Sequence, residues 1–164
     1  MKTPLEIDQI LDKESDEFVQ AYKNCAAWLV TTLDDDDDSY TSAKWDMHLR
    51  DRGIKGDTDS SDEILEEVLR YCTPQTHDQM RQDCINFLRD NIPVLLIATA
   101  KSEYTMTQAG QDFFLTRNHH GAGFWDSPLD EPFGRVLTES AHLYGEFSLQ
   151  LYIDDKTGDW VCEG

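Results

Sequence analysis

Behind Ser15, the large side chains Phe18, Tyr22, Cys25, Leu29 and Leu33 recur after four, three, four and four residues, which is one stripe of an α-helix. A strand, with its period of two, would divide them between opposite faces. A chain that begins this way must bury a helical face, and further stripes follow it. Thr3, Pro4 and Glu6 form a capping box with proline at the first helical position, so a helix starts there. Ser15, Asp16 and Glu17 open a second helix, or continue the first after a break, and the stripe should end before Asp34. A short helix is expected over residues 42–52, stopped by Gly53. Ser60 and Glu63 make another capping box, ahead of Ile64, Leu65, Val68, Leu69 and Cys72. Thr73 and Pro74 end that helix. Thr76 with Gln79 caps the next, which carries Met80, Cys84, Phe87 and Leu88 on one face. Pro93 ends or kinks it, and Val94, Leu95, Leu96 and Ile97 fit strand or helix equally.

The C-terminal third changes character. Residues 113–116 read as a short strand, 119–123 as a Gly-rich turn, and Phe124 with Trp125 as the partner strand. Residues 109–126 are therefore expected to form a hairpin that buries Phe113, Phe114, Phe124 and Trp125. Residues 133–144 suit a helix, with Phe133, Val136, Leu137 and Ala141 inward and Gly145 at its end. Phe147, Leu149, Leu151 and Ile153 alternate as in a half-buried strand. Residues 154–158 then turn into a last strand at Trp160 and Val161. The expected fold class is α+β, a helical N-terminal two-thirds followed by a small antiparallel sheet with one packed helix. With 164 residues and no internal repeat, residues 1–164 are read as a single domain, long enough to bury roughly 70% of the extended-chain surface.

Charge narrows the function. Thirty-three acids and fourteen bases give a net charge of −19 and a pI near 4.3. Such a surface repels nucleic acid and anionic membrane and attracts basic surfaces, including those built to hold DNA or RNA. Residues 6–67 hold nineteen of the acids against six bases, a net of −13. The five aspartates at 34–38 read as a solvated loop. Asp62, Glu63, Glu66 and Glu67 fall at helical spacings, which puts neighbouring carboxylates about 5–6 Å apart, close to the phosphate spacing of a nucleic-acid strand. With Asp57 and Asp59 just ahead, these six are the candidate partner-binding residues. Solubility or a salt-adapted habitat explains the same acidity without a partner. Cys25, Cys72, Cys84 and Cys162 are widely spaced, which points away from a disulfide scaffold or zinc knuckle and toward core positions for the first three. His48, His77 and His142 are isolated. No signal segment or bilayer-length apolar run is present, so a cytoplasmic location is expected, with no membrane partner, no metal and no cofactor.

The most distinctive stretch is 109–126, A-G-Q-D-F-F-L-T-R-N-H-H-G-A-G-F-W-D. Asp112, Arg117, His119, His120 and Asp126 within it could ligate a metal or hold a phosphate. Their spacing matches no H-E-x-x-H site, and the glycines lack the strand-then-helix setting of a phosphate loop. The stretch resembles the pattern A-G-x-D-F-x-L-T-R-N-G-H-G-A-G-F-W-D of a family of small proteins of tailed bacteriophages and prophages that carries no assigned activity. Phe18, Tyr22, Cys25 and Trp28 look like that family's first helix. Asp83, Cys84, Phe87 and Asn91 look like its middle helix, and residues 144–153 like its closing strand. The resemblance covers residues 15–33 and 73–161 and leaves 34–72 as an acidic insertion. Two departures stand out. His119 replaces a glycine, which would strain a turn at positive φ, and Gln111 stands where the family often has histidine. The resemblance implies a phage-encoded accessory protein acting in the host cytoplasm. With the charge, it points to binding and inhibition of a host DNA-processing or defence enzyme by a DNA-like acidic surface. The alternatives are a small metal- or phosphate-dependent enzyme built on 112–126 and a passive structural or assembly factor.

Overall fold

A computed structural model describes residues 2–32, 39–55, 61–101 and 103–164, with backbone alone for 32 and 39–42. The described elements are α1 (Pro4–Thr32), α2 (Ser39–Asp51), α3 (Ser61–Arg70), α4 (Pro74–Lys101), α5 (Met106–Arg117), α6 (Phe133–His142), β1 (Gln150–Ile153) and β2 (Trp160–Glu163). The fold is α+β, helical first and closed by a small antiparallel sheet. Among the described residues no helix is long and apolar enough to cross a membrane. The aspartates at 34–38, Asp57, Asp59 and the Ser60 cap lie outside the described residues.

The local signals explain most boundaries. Thr3 N–H donates to Glu6 Oε2 at 2.7 Å and Glu6 N–H to Thr3 Oγ1 at 3.3 Å, closing the capping box that starts α1. α1 then runs through Ser15 without a break and ends at Thr32. After α2, Gly53 (φ 75°) donates to the Arg50 carbonyl at 2.9 Å and Ile54 to that of Leu49 at 2.8 Å. That pair of bonds is a Schellman cap, which needs the left-handed residue that glycine supplies at little cost. Two expectations are corrected, at the start of α4 and over 109–126, and the alternative left open at 94–97 is decided. α4 starts at Pro74 rather than Thr76, because Thr73 Oγ1 accepts the Thr76 N–H at 3.2 Å and leaves proline in the first helical position. α4 also continues through Pro93 to Lys101, so residues 94–97 are helical; Pro93 is exposed while Leu95 and Ala98 are buried. Residues 109–126 are not a hairpin: 109–117 belong to α5.

The chain divides into two compact units, residues 1–25 with 78–147 and residues 26–77 with 148–164. The first has an aromatic core. Phe87 of α4 stacks on Phe113 of α5 at 4.1 Å between ring centroids, on Phe124 at 5.6 Å and on Phe18 of α1 at 6.0 Å. Leu137 and Ala141 of α6 are fully buried in the same unit, whereas Val136 is exposed. In the second unit β1 and β2 pair antiparallel, with Leu151 opposite Cys162 and Ile153 opposite Trp160. Cys162 also bridges to Cys72 in parallel, donating to the Tyr71 carbonyl at 2.9 Å and accepting from Thr73 N–H at 3.0 Å. This third pairing supports a two-stranded ribbon that would be marginal alone. The four cysteines are free thiols, all buried except the half-buried Cys25.

Gly110 fixes the approach of α5 to α1. A Cβ there would lie 2.2 Å from the Phe18 carbonyl oxygen, a backbone atom that cannot swing aside. At an open helical site Gly→Ala gains about 1 kcal/mol. Here Gly110→Ala is expected to cost about 1–3 kcal/mol as the helices are forced apart, read as a lowered urea midpoint.

Candidate functional site

α5 starts from Thr105, whose hydroxyl accepts the Gln108 N–H at 3.2 Å while the Gln108 side chain accepts the Thr105 N–H at 2.9 Å. From that start Met106, Ala109, Gly110, Phe113, Phe114 and Arg117 all face inward. Arg117 is 3% exposed. Its Nη1 donates to Tyr22 Oη and to Asp83 Oδ2, both at 2.8 Å; Nε donates to the Gly145 carbonyl at 2.8 Å and Nη2 to that of Tyr144 at 3.0 Å. The guanidinium carbon lies 5.5–5.9 Å from the ring centroids of Phe113, Tyr144 and Phe147. Burial pushes the Tyr22 phenol well above its ordinary range, and the Arg117 charge pulls only part of the way back. Arg117 is thus engaged inside the unit and turns no donor outward for a phosphate.

The other members of the set are held separately. Asp112 Oδ2 accepts from Tyr104 Oη at 2.6 Å and from the Ser127 hydroxyl. Burial raises its carboxyl, the two hydroxyls lower it, and the upward effect wins. The half-buried Cys25 thiol is pushed up to about 11, by burial and then by Asp112. His119 takes φ 55° at the end of α5, where its N–H bonds the Thr116 carbonyl and the His120 N–H that of Leu115. This is another Schellman cap, with histidine rather than glycine in its left-handed position. The two imidazoles go different ways: His119 packs on His142, at 4.5 Å between centroids, and His120 on Phe114, at 6.3 Å. Asp126 is exposed. Among the described residues no three His, Cys, Asp or Glu side chains group so as to hold a metal ion. Trp125, expected in the core, is 57% exposed, because the chain turns at 124–126 instead of pairing; Phe124 beside it is fully buried.

The acidic helix divides its carboxylates. Asp62, Glu63 and Glu66 of α3 are exposed. Glu67, expected among them, is 2% exposed. Its Oε1 lies 3.0 Å from His48 Nε2 and 3.2 Å from Arg52 Nε, and its Oε2 lies 3.2 Å from Arg70 Nε. Burial pulls this carboxyl upward, but the His48 hydrogen bond and the two arginines more than cancel it and hold it below its ordinary 4.5. Around the cluster His48 stacks on Trp45 at 5.0 Å, and Trp45 meets Trp160 edge-on at 4.9 Å. Sequence spacing gave no sign of this aromatic and ionic group beyond the i, i+3 relation of Glu67 and Arg70. His77, the remaining isolated histidine, bonds the Leu69 carbonyl at 2.9 Å. Comparison with protein-family models, with curated proteins and with solved structures returns no match.

Two outcomes follow from these charges. Arg117→Met leaves Tyr22 without its donor and Asp83 without its cation, with only the Gln79 amide still donating to that carboxylate at 2.8 Å, and is expected to cost about 3–5 kcal/mol in chemical unfolding. Arg117→Lys should recover little of it, since one ammonium cannot serve acceptors spread around a planar fork. Glu67 has a depressed native pKa, so its stabilisation is complete above the unfolded value and is lost as pH falls through the native one. Glu67→Gln is therefore expected to unfold more easily than wild type at pH 7. The gap between the two urea midpoints should narrow on acidification below about 4.5, the ordinary value.

Proposed function

We propose that this chain is an acidic accessory protein that docks onto a basic surface of a partner protein, with α3 as the contact element. One observation carries this reading: Asp62, Glu63 and Glu66 stand exposed on a helix whose inner side, at Glu67, Val68 and Leu69, is buried. Glu67, tied to His48 and Arg52, anchors the helix that displays the other three. Ordered carboxylates dock without the entropy loss that a flexible acidic run would suffer. A groove that holds a phosphate backbone is the complementary surface. The resemblance to the phage family supports the rest of the reading: a host DNA-processing or defence enzyme, met in the host cytoplasm and inhibited by occupation of that groove. A net charge of −19 disfavours direct binding of nucleic acid. The enzymatic alternative on 112–126 draws less support, since Arg117 and Asp112 are engaged by internal partners.

The test is capture of a partner from host lysate with wild type and with the triple variant Asp62→Asn, Glu63→Gln, Glu66→Gln. The variant should melt like wild type, because exposed charges contribute little to stability. Its affinity at low salt should fall about tenfold or more, and heparin or DNA should compete for the partner. Unchanged affinity at low salt would reduce the acidic face to a solubility device.

A further inference from the structure

In the first unit, the turn after α5 is held by buried contacts yet presents a tryptophan outward. Phe124 is fully buried, and its N–H donates to Thr116 Oγ1 at 3.0 Å. Gly123 packs so closely that a Cβ would come within 2.3 Å of that same oxygen. Asp126 N–H closes on the Gly123 carbonyl at 3.1 Å, and the Ser127 hydroxyl is bonded to Asp112. Within this frame Trp125 remains 57% exposed. It borders a cavity of about 330 Å³ lined by Leu129, Glu131, Gly134, Arg135 and Glu139. Gly134 on the lining lets α6 approach the turn closely, since a Cβ there would stand 3.0 Å from the Phe124 carbonyl. The volume lies at the low end of ligand pockets, about 300–1,000 Å³, and suits one or two side chains rather than a folded element.

The surrounding charge selects the occupant. Residues 123–140 carry Asp126, Asp130, Glu131 and Glu139 against the single base Arg135, a net of −3. Among the described residues Glu131 and Glu139 form no ion pair. An indole face beside open carboxylates attracts a cation, and the aliphatic stem of a long basic side chain covers the apolar wall. An exposed tryptophan on a backbone tied down on both sides is also the residue type that most often dominates a protein interface. We propose that Trp125 and this cavity receive an arginine or lysine side chain from a basic segment of a partner protein. The proposal deepens the reading of a basic partner and rests on it for the partner's existence, but its location is independent of α3.

The test uses the full chain and capped five-residue peptides with a central arginine, lysine, citrulline, norleucine or glutamate between glycines. The readout is the indole N–H resonance of Trp125, assigned by its loss in Trp125→Phe, a change at an exposed site that should leave the melting curve as it is. The arginine and lysine peptides should move it saturably with Kd on the order of millimolar. Binding should weaken about fivefold or more in the double variant Glu131→Gln, Glu139→Gln and with added salt. The α3 triple variant should bind these peptides like wild type, so a failed α3 contact and a failed Trp125 contact are told apart. An unmoved indole overturns the proposal. Equal binding of citrulline or norleucine would make the cavity merely apolar, and preference for glutamate would assign it to Arg135; either overturns it too.

Discussion

The first unit is organised around a charge that cannot be left unpaired. A buried guanidinium needs acceptors on several sides, and Arg117 finds them on three separate stretches: the hydroxyl of Tyr22, the carboxylate of Asp83, and the consecutive carbonyls of Tyr144 and Gly145. These must converge for the charge to be tolerated, so one side chain sets where α1, α4 and the segment after α6 meet α5. Neighbouring details follow from it. Asn118 donates to the Phe114 carbonyl and accepts from Phe147 N–H, each at 2.8 Å, and so brings the chain beyond α6 back to the end of α5. The phenylalanines around this fork supply apolar burial, and the fork fixes their arrangement.

How far such an arrangement is legible in sequence depends on which residues carry it. The stripe and the capped start of the first helix were, because they are built from unambiguous apolar types and a complete capping box; the break expected at Ser15 is absent, and α1 is one helix. The segment 106–117 was misread for the opposite reason. Its inward set, Met106, Ala109, Gly110, Phe113, Phe114, Thr116 and Arg117, recurs at helical spacings. But one member is a glycine chosen for its lack of a side chain and another is an arginine, so the period is invisible when only large apolar residues are counted. What remains is a Phe-Phe-Leu run that looks like a strand. The Thr105–Gln108 capping box was the available signal. Trp125 misled in the reverse sense, a core residue type standing outside the core.

The candidate contact surface shows a second limit. Spacing placed Asp62, Glu63, Glu66 and Glu67 on one helix but could not tell which carboxylate turns inward. That depended on Arg52 and His48, contributed from α2 and just beyond it, and on Arg70 within α3. A carboxylate surrounded by cations is tolerated inside; its three neighbours, which form no ion pair among the described residues, stay exposed to water. The separation of anchor from display is therefore a tertiary decision written on residues far apart in the chain.

The Cys72–Cys162 bridge ties together backbone segments about ninety positions apart. Neither unit is one continuous stretch: residues 78–147 of the first are interposed between the two stretches of the second. During synthesis residues 26–77 can form their helices at once, since those contacts are local, but the open edge at Tyr71 and Thr73 must wait for residues 148–164 to be made. Long-range pairings of this kind form late and slow the approach to the native state. The second unit is thus begun early and closed only once residues 148–164 are made, and until then the Tyr71 carbonyl and the Thr73 N–H are open to wrong pairing.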